Sequence, residues 1–104
     1  MPKAKQIEFI TTFSQYKSTR LLGEGGSGFV YEVEDDNKQR FALKVLKRQG
    51  ITTEKRKRFK NEITFCQRFS HPNIISIIDN GVFTDEDISV PFYIMPLYDS
   101  SYEI

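Results

Sequence analysis

The spacing of apolar and polar positions along the chain predicts a run of strands, one helix, and strands again. From Tyr16 to Gly25, and again from Phe29 to Asp35, the pattern reads as β-strand, with the glycines between. Asp35–Gln39 is dense in turn formers and leads into "RFALKVLK", a third strand rich in apolar residues. Short links between these three segments predict an antiparallel meander. Gly50 then breaks the pattern, and Thr52 or Thr53 is placed to cap a helix. From Glu54 to about Ser70 the period becomes helical, with Phe59, Ile63, Cys66 and Phe69 at i, i+4, i+7 and i+10. "SHPN" stops it, because the residue before Pro72 is pushed out of the helical region. "IISII" and "GVF" predict a fourth strand with a weak point at Asp79–Gly81, "TDEDIS" an exposed turn, and "PFYIMPLY" a fifth strand. "DSSYEI", residues 99–104, reads as the first turn of another helix. The predicted class is α+β, a five-stranded antiparallel sheet with one main helix in the order β-β-β-α-β-β, preceded by a lead-in over residues 1–15.

Composition narrows the setting. At 104 residues the chain makes one small domain with a thin core. A net charge of +1 gives no global pull toward nucleic acid or an anionic membrane. Its apolar runs fall far short of the roughly 20 residues that span a bilayer, and "MPKAKQIEF" lacks the apolar core of a signal peptide. Cys66 stands alone and cannot close an internal disulfide, which suits a reducing, cytoplasmic compartment. The expectation is a cytoplasmic protein with no membrane segment and no nucleic-acid partner. The basic run "KRKRFK" (55–60) reads as a solvated helix face, and His71 as a corner residue, with no second ligand near it to suggest a metal.

The stretch "LLGEGGSGFVYEVE" places four glycines within six residues. A Walker A loop needs Lys directly after its last glycine, and here Phe29 follows Gly28. Gly23, Gly25 and Gly28 match G-x-G-x-x-G, but a dinucleotide fold needs a helix next, and strand follows. Two readings stay open on the loop alone: a hairpin whose backbone N–H groups approach an anion, and a loose turn.

Lys44 sits in an apolar strand, on the same face as Ala42 and Leu46 by the alternation of strand side chains. A Lys there is costly to desolvate unless an anion meets it. Around the helix Glu62 lies about 40° from Cys66 and about 60° from Phe59, on or beside the buried stripe. Either the two charges meet, or both side chains snorkel to water.

Taken together, these residues resemble the N-terminal lobe of a protein kinase, over about Tyr16 to Tyr98. "GEGGSGFV" resembles the family's glycine loop, "FALK" its V-A-I-K strand, and Glu62 its paired helix glutamate. "HPNII" resembles the helix-to-strand corner, and "FYIMPLY" the strand into the hinge. The resemblance implies that the loop residues Gly23, Gly25, Gly26, Ser27 and Gly28 lie over the phosphates of ATP, with Leu22 at the pocket entrance. It implies that Val30 and Ala42 pack on adenine, that Lys44 holds phosphate, and that Glu62 holds Lys44. Met95 falls at the gatekeeper position, and Pro96, Leu97 and Tyr98 at the hinge. Pro96 replaces an acidic residue common there, but its carbonyl remains available. Cys66 and Ile77 match the hydrophobic column between the lobes.

The 104 residues contain neither H-R-D nor D-F-G, so the residues that ligate Mg²⁺ in the family would lie in a C-lobe supplied in cis or in trans. The resemblance implies a fragment of a longer kinase: phosphoryl transfer from ATP to a protein hydroxyl, Ser or Thr, in the parent, with the fragment alone inactive. A stand-alone or pseudokinase-like binding module that docks a partner C-lobe is the alternative. With the other lobe absent, Val30, Ala42, Cys66, Ile77 and Leu97 would form an exposed apolar patch and favour self-association.

Overall fold

In a computed structural model of the chain, the described residues are 6–25, 28–69, 71 and 74–97. They form β1 (Glu8–Ile10), β2 (Gln15–Gly25), β3 (Gly28–Glu34), β4 (Arg40–Val45), α1 (Thr53–Arg68), β5 (Asp79–Asp85) and β6 (Ile88–Pro96). The six strands make one antiparallel sheet in the order β1-β2-β3-β4-β6-β5.

The sheet therefore has six strands, where the sequence pattern predicted five. The additional one, β1, lies within the stretch read as a lead-in. Only Phe9 of its three residues turns inward, too little for alternation to register. That one ring is 1% exposed and packs 5.0 Å from Phe83 and 5.3 Å from Phe92, centroid to centroid. Burying it stabilises the strand by about 1.5–3 kcal/mol. Ser18 completes the pairing: its Oγ accepts from Ile7 N–H at 2.8 Å, and its own N–H donates to Ile7 O at 2.9 Å.

The sheet curls until its two edges meet. β1 and β5 stand at opposite ends of the strand order, yet Phe9 touches Phe83. Beside them, Thr11 Oγ1 donates to Asp79 Oδ2 at 2.6 Å, and Tyr16 O–H donates to the same oxygen at 3.1 Å. Residues directly opposite in an antiparallel ladder share a face. One face accordingly carries Phe29, Val45 and Phe92, and the next row Tyr31, Leu43 and Ile94, around Phe9. The other face carries Val30, Lys44 and Tyr93, then Glu32, Ala42 and Met95.

Helix α1 packs chiefly on β6, through buried Phe59 and Ile63. Thr52 caps it, its hydroxyl accepting from Lys55 N–H at 3.1 Å. Ser70, Pro72 and Asn73 of the predicted corner, Tyr98 of the predicted hinge and the segment 99–104 lie outside the described residues.

The fourth predicted strand starts later than expected. Ile74–Ile78 is not strand, and β5 begins at Asp79, where a weak point was expected. Gly81 does not interrupt it. A Cβ at Gly81 would stand 2.8 Å from the Phe92 ring, so glycine is what lets that ring cross the strand. The expected turn "TDEDIS" shrinks to Glu86 and Asp87, both at positive φ (47° and 69°), between strands that begin and end closer to it.

The apolar patch expected from Val30, Ala42, Cys66, Ile77 and Leu97 is not formed. Val30 and Ala42 are buried, and Cys66 is half-buried. Leu22, Ile77 and Leu97 are themselves partly buried against the core cluster that holds Val30 and Ala42. That ground for self-association is removed.

Candidate functional site

The glycine hairpin is built from the ends of β2 and β3, which pair down to Gly25 opposite Gly28. Gly28 has φ +150°, and a Cβ there would overlap the carbonyl oxygen of Val45. Glycine is required at this position by a close approach of two backbones. Gly26 and Ser27, at the tip, lie outside the described residues. Glu24 ties the hairpin to the segment after β4 through an ion pair with Lys47 Nζ at 3.1 Å, and that ammonium stands 5.2 Å from the Phe29 ring. Glu24 is largely exposed, so the pair contributes at most about 1 kcal/mol.

Lys44 projects from β4 on the face it shares with Val30 and Tyr93. Its side chain is 13% exposed, and Nζ lies 4.0 Å from Glu62 Oε1 and 5.9 Å from the centre of the Phe59 ring. Of the two alternatives left open above, the charges meet. The separation is longer than a hydrogen bond, so the attraction is Coulombic. Glu62, 39% exposed, stands one helical turn from both Phe59 and Cys66.

Tyr93 is the member of this group that the sequence pattern did not single out. Its O–H donates to Glu62 Oε1 at 3.1 Å. Burial, with the charge of Glu62 beside it, pushes the phenol far above its usual range. Burial also raises the Cys66 thiol, and Glu62 adds to the shift. Period two puts Tyr93 on the same face as Met95, but its place opposite Lys44 comes from the strand register.

The remaining sequence-chosen residues divide in two. Leu22, Gly23, Val30, Ala42 and Met95 cluster on or beside the Lys44 face, and Pro96 ends β6 opposite Phe41, with Leu97 half-buried next to it. Val30, Ala42 and Met95 are covered by their own neighbours. Gly26, Ser27 and Tyr98 are outside the described residues.

A second polar group on this face also escaped the sequence reading. Glu32, opposite Ala42, is buried and accepts from Thr19 Oγ1 at 2.7 Å, with Arg20 Nη2 at 3.4 Å. The Thr19 hydrogen bond holds its carboxyl below the usual range, against the opposing effect of burial.

A cleft of about 280 Å³ opens on the opposite face, against Phe9, Phe29, Tyr31 and Phe83. It does not include Lys44 or Glu62. The cations at its rim are already engaged, Lys47 by Glu24 and Arg48 by Glu86. This cleft is thus separate from the face that carries Lys44 and Glu62.

Comparison with known proteins places the chain in a family. The family model described as protein kinase domain matches residues 16–95. The chain is 42% identical over 72 residues to a probable serine/threonine-protein kinase of Dictyostelium discoideum, covering 65% of this chain and 18% of that protein. It is 36% identical over 84 residues to the DNA damage-responsive serine/threonine-protein kinase RqkA of Deinococcus radiodurans, covering 80% and 12%. It is 31% identical over 100 residues to the tyrosine-protein kinase receptor TYRO3 of Xenopus laevis, covering 90% and 11%. The chain thus spans less than a fifth of the length of each of these relatives. Among the described residues no helix is long and apolar enough to cross a membrane.

Proposed function

The chain belongs to the protein kinase family, and from that premise we propose that residues 16–98 form its ATP-binding N-lobe. The observation that carries this reading is the meeting of Lys44 with Glu62 on the face reached by the glycine hairpin. In this reading Lys44 holds the α- and β-phosphates, Glu62 orients Lys44, and Gly23, Gly25, Gly26, Ser27 and Gly28 lay backbone N–H groups over the phosphates. Leu22, Val30, Ala42 and Met95 enclose the adenine, and Pro96, Leu97 and Tyr98 supply backbone contacts at the hinge. Because Val30 and Ala42 are buried here, neighbouring side chains must shift to admit the base.

Mg²⁺ would neutralise phosphate charge, held by groups outside these residues. Among the described residues no cluster of His, Cys, Asp and Glu is suited to a metal. Transfer to a protein Ser or Thr hydroxyl is proposed for the assembly of this lobe with a catalytic C-lobe, in cis or in trans, in the cytoplasm. The polypeptide by itself is expected to show no turnover.

Calorimetric titration with Mg–ATP tests the site. Wild type should bind weakly, and Lys44→Met should weaken binding about tenfold or more, as expected for loss of a charge-assisted contact. Equal affinity of the two proteins would remove Lys44 from the site.

A further inference from the structure

Glu62 faces two groups from the sheet, and only one is at bonding distance. Tyr93 O–H reaches Oε1 at 3.1 Å, while Lys44 Nζ stands 4.0 Å from the same oxygen. Tyr93 is 1% exposed, its ring packed 5.4 Å from that of Phe59 on the helix. A phenol buried this deeply needs a partner, and Glu62 is the one it has. A second polar link runs from α1 to the same strand, Arg56 Nη1 donating to Ser89 O. The helix thus hangs on β6 at two heights, by Arg56 in its first turn and by Glu62 farther along. Lys44, on β4, contributes attraction without a hydrogen bond.

We propose that Tyr93 is a positioning residue: its hydroxyl, rather than the Lys44 ammonium, holds Glu62 and the middle of α1 against the sheet, so that Lys44 can turn to a phosphate without releasing the helix. Only the last clause rests on the ATP reading. Tyr93→Phe removes the donor and keeps the ring. Lys44→Met removes the charge and keeps most of the packing. Glu62→Gln removes the charge and keeps an acceptor oxygen for Tyr93.

The test uses the chain without nucleotide, by amide hydrogen exchange of α1 and by the ¹³Cζ resonance of Tyr93 in tyrosine-labelled protein. Tyr93→Phe should speed exchange at Glu62–Cys66 about tenfold, and Lys44→Met and Glu62→Gln less than about twofold. The Tyr93 ¹³Cζ resonance should move in Glu62→Ala and stay in Lys44→Met. In a Glu62→Ala background, Tyr93→Phe should add nothing, because the two changes remove one bond. Faster exchange in Lys44→Met than in Tyr93→Phe overturns the proposal, as does an undiminished effect of Tyr93→Phe without Glu62. Should Tyr93→Phe not fold, Glu62→Gln decides: wild-type exchange supports the Tyr93 bond, and a freed helix overturns it. A chain that passes these tests and binds no Mg–ATP keeps its Tyr93 anchor and loses the ATP reading alone.

Discussion

Tyr16 and Asp79, 63 residues apart, are joined by a hydrogen bond of 3.1 Å from the Tyr16 hydroxyl to Asp79 Oδ2. With Thr11 donating to the same oxygen, the bond closes the curled sheet between β1, β2 and β5. Asp79→Ala should lower stability by about 1–2 kcal/mol, since it strands two donors. Urea unfolding measures this, and an unchanged midpoint would show that the clasp is incidental.

The same contact predicts an alkaline limb. Burial raises the Tyr16 phenol to about 12, with the charge of Asp79 adding to the shift. A folded pKa above the unfolded value of 10.0 means that the contribution is whole below pH 10 and is lost as pH climbs toward about 12. Tyr16→Phe should flatten part of this loss in unfolding curves. The raised phenols of Tyr31 and Tyr93 act in the same direction.

Glu32 predicts an acid limb of opposite sign. Its folded pKa is lowered below the usual 4.5, chiefly by the hydrogen bond from Thr19. Its contribution is present above that value and is lost as pH falls through the folded pKa. Glu32→Gln should cost about 1–2 kcal/mol at neutral pH and less at low pH. A cost that does not change with pH would assign the effect to packing.

Phe9 separates a strand from a lead-in. Phe9→Ala should destabilise the chain by about 3–5 kcal/mol if β1 is part of the core. Thermal unfolding within about 0.5 kcal/mol of wild type, the range of an ordinary surface change, would return residues 8–10 to the status of a tail.

The main strands and the helix were legible because their patterns are long. Four apolar positions at helical spacing placed α1, and alternation placed Lys44 beside Ala42. Glu62 followed from helix geometry. What the sequence hid depends on contacts far apart in the chain. β1 is held by Phe9 against rings more than seventy residues away. Gly81 reads as a break until the Phe92 ring is seen to need its space. The apolar patch failed for a similar reason: Val30 and Ala42 are buried in a core assembled from strands and a helix far apart in the chain. Tyr93 looks like any strand tyrosine until Glu62 is brought under its hydroxyl.

The central claim, a nucleotide site on the Lys44 face, is tested most directly by mapping backbone amide shifts as Mg–ATP, and separately adenosine, is added to the labelled chain. Mg–ATP should shift Gly23, Gly25, Gly28, Val30, Ala42 and Lys44, while adenosine should shift Val30 and Ala42 and leave Lys44 in place. Shifts confined to Phe9, Tyr31 and Phe83, around the cleft on the opposite face, or no shifts at saturating nucleotide, would contradict it.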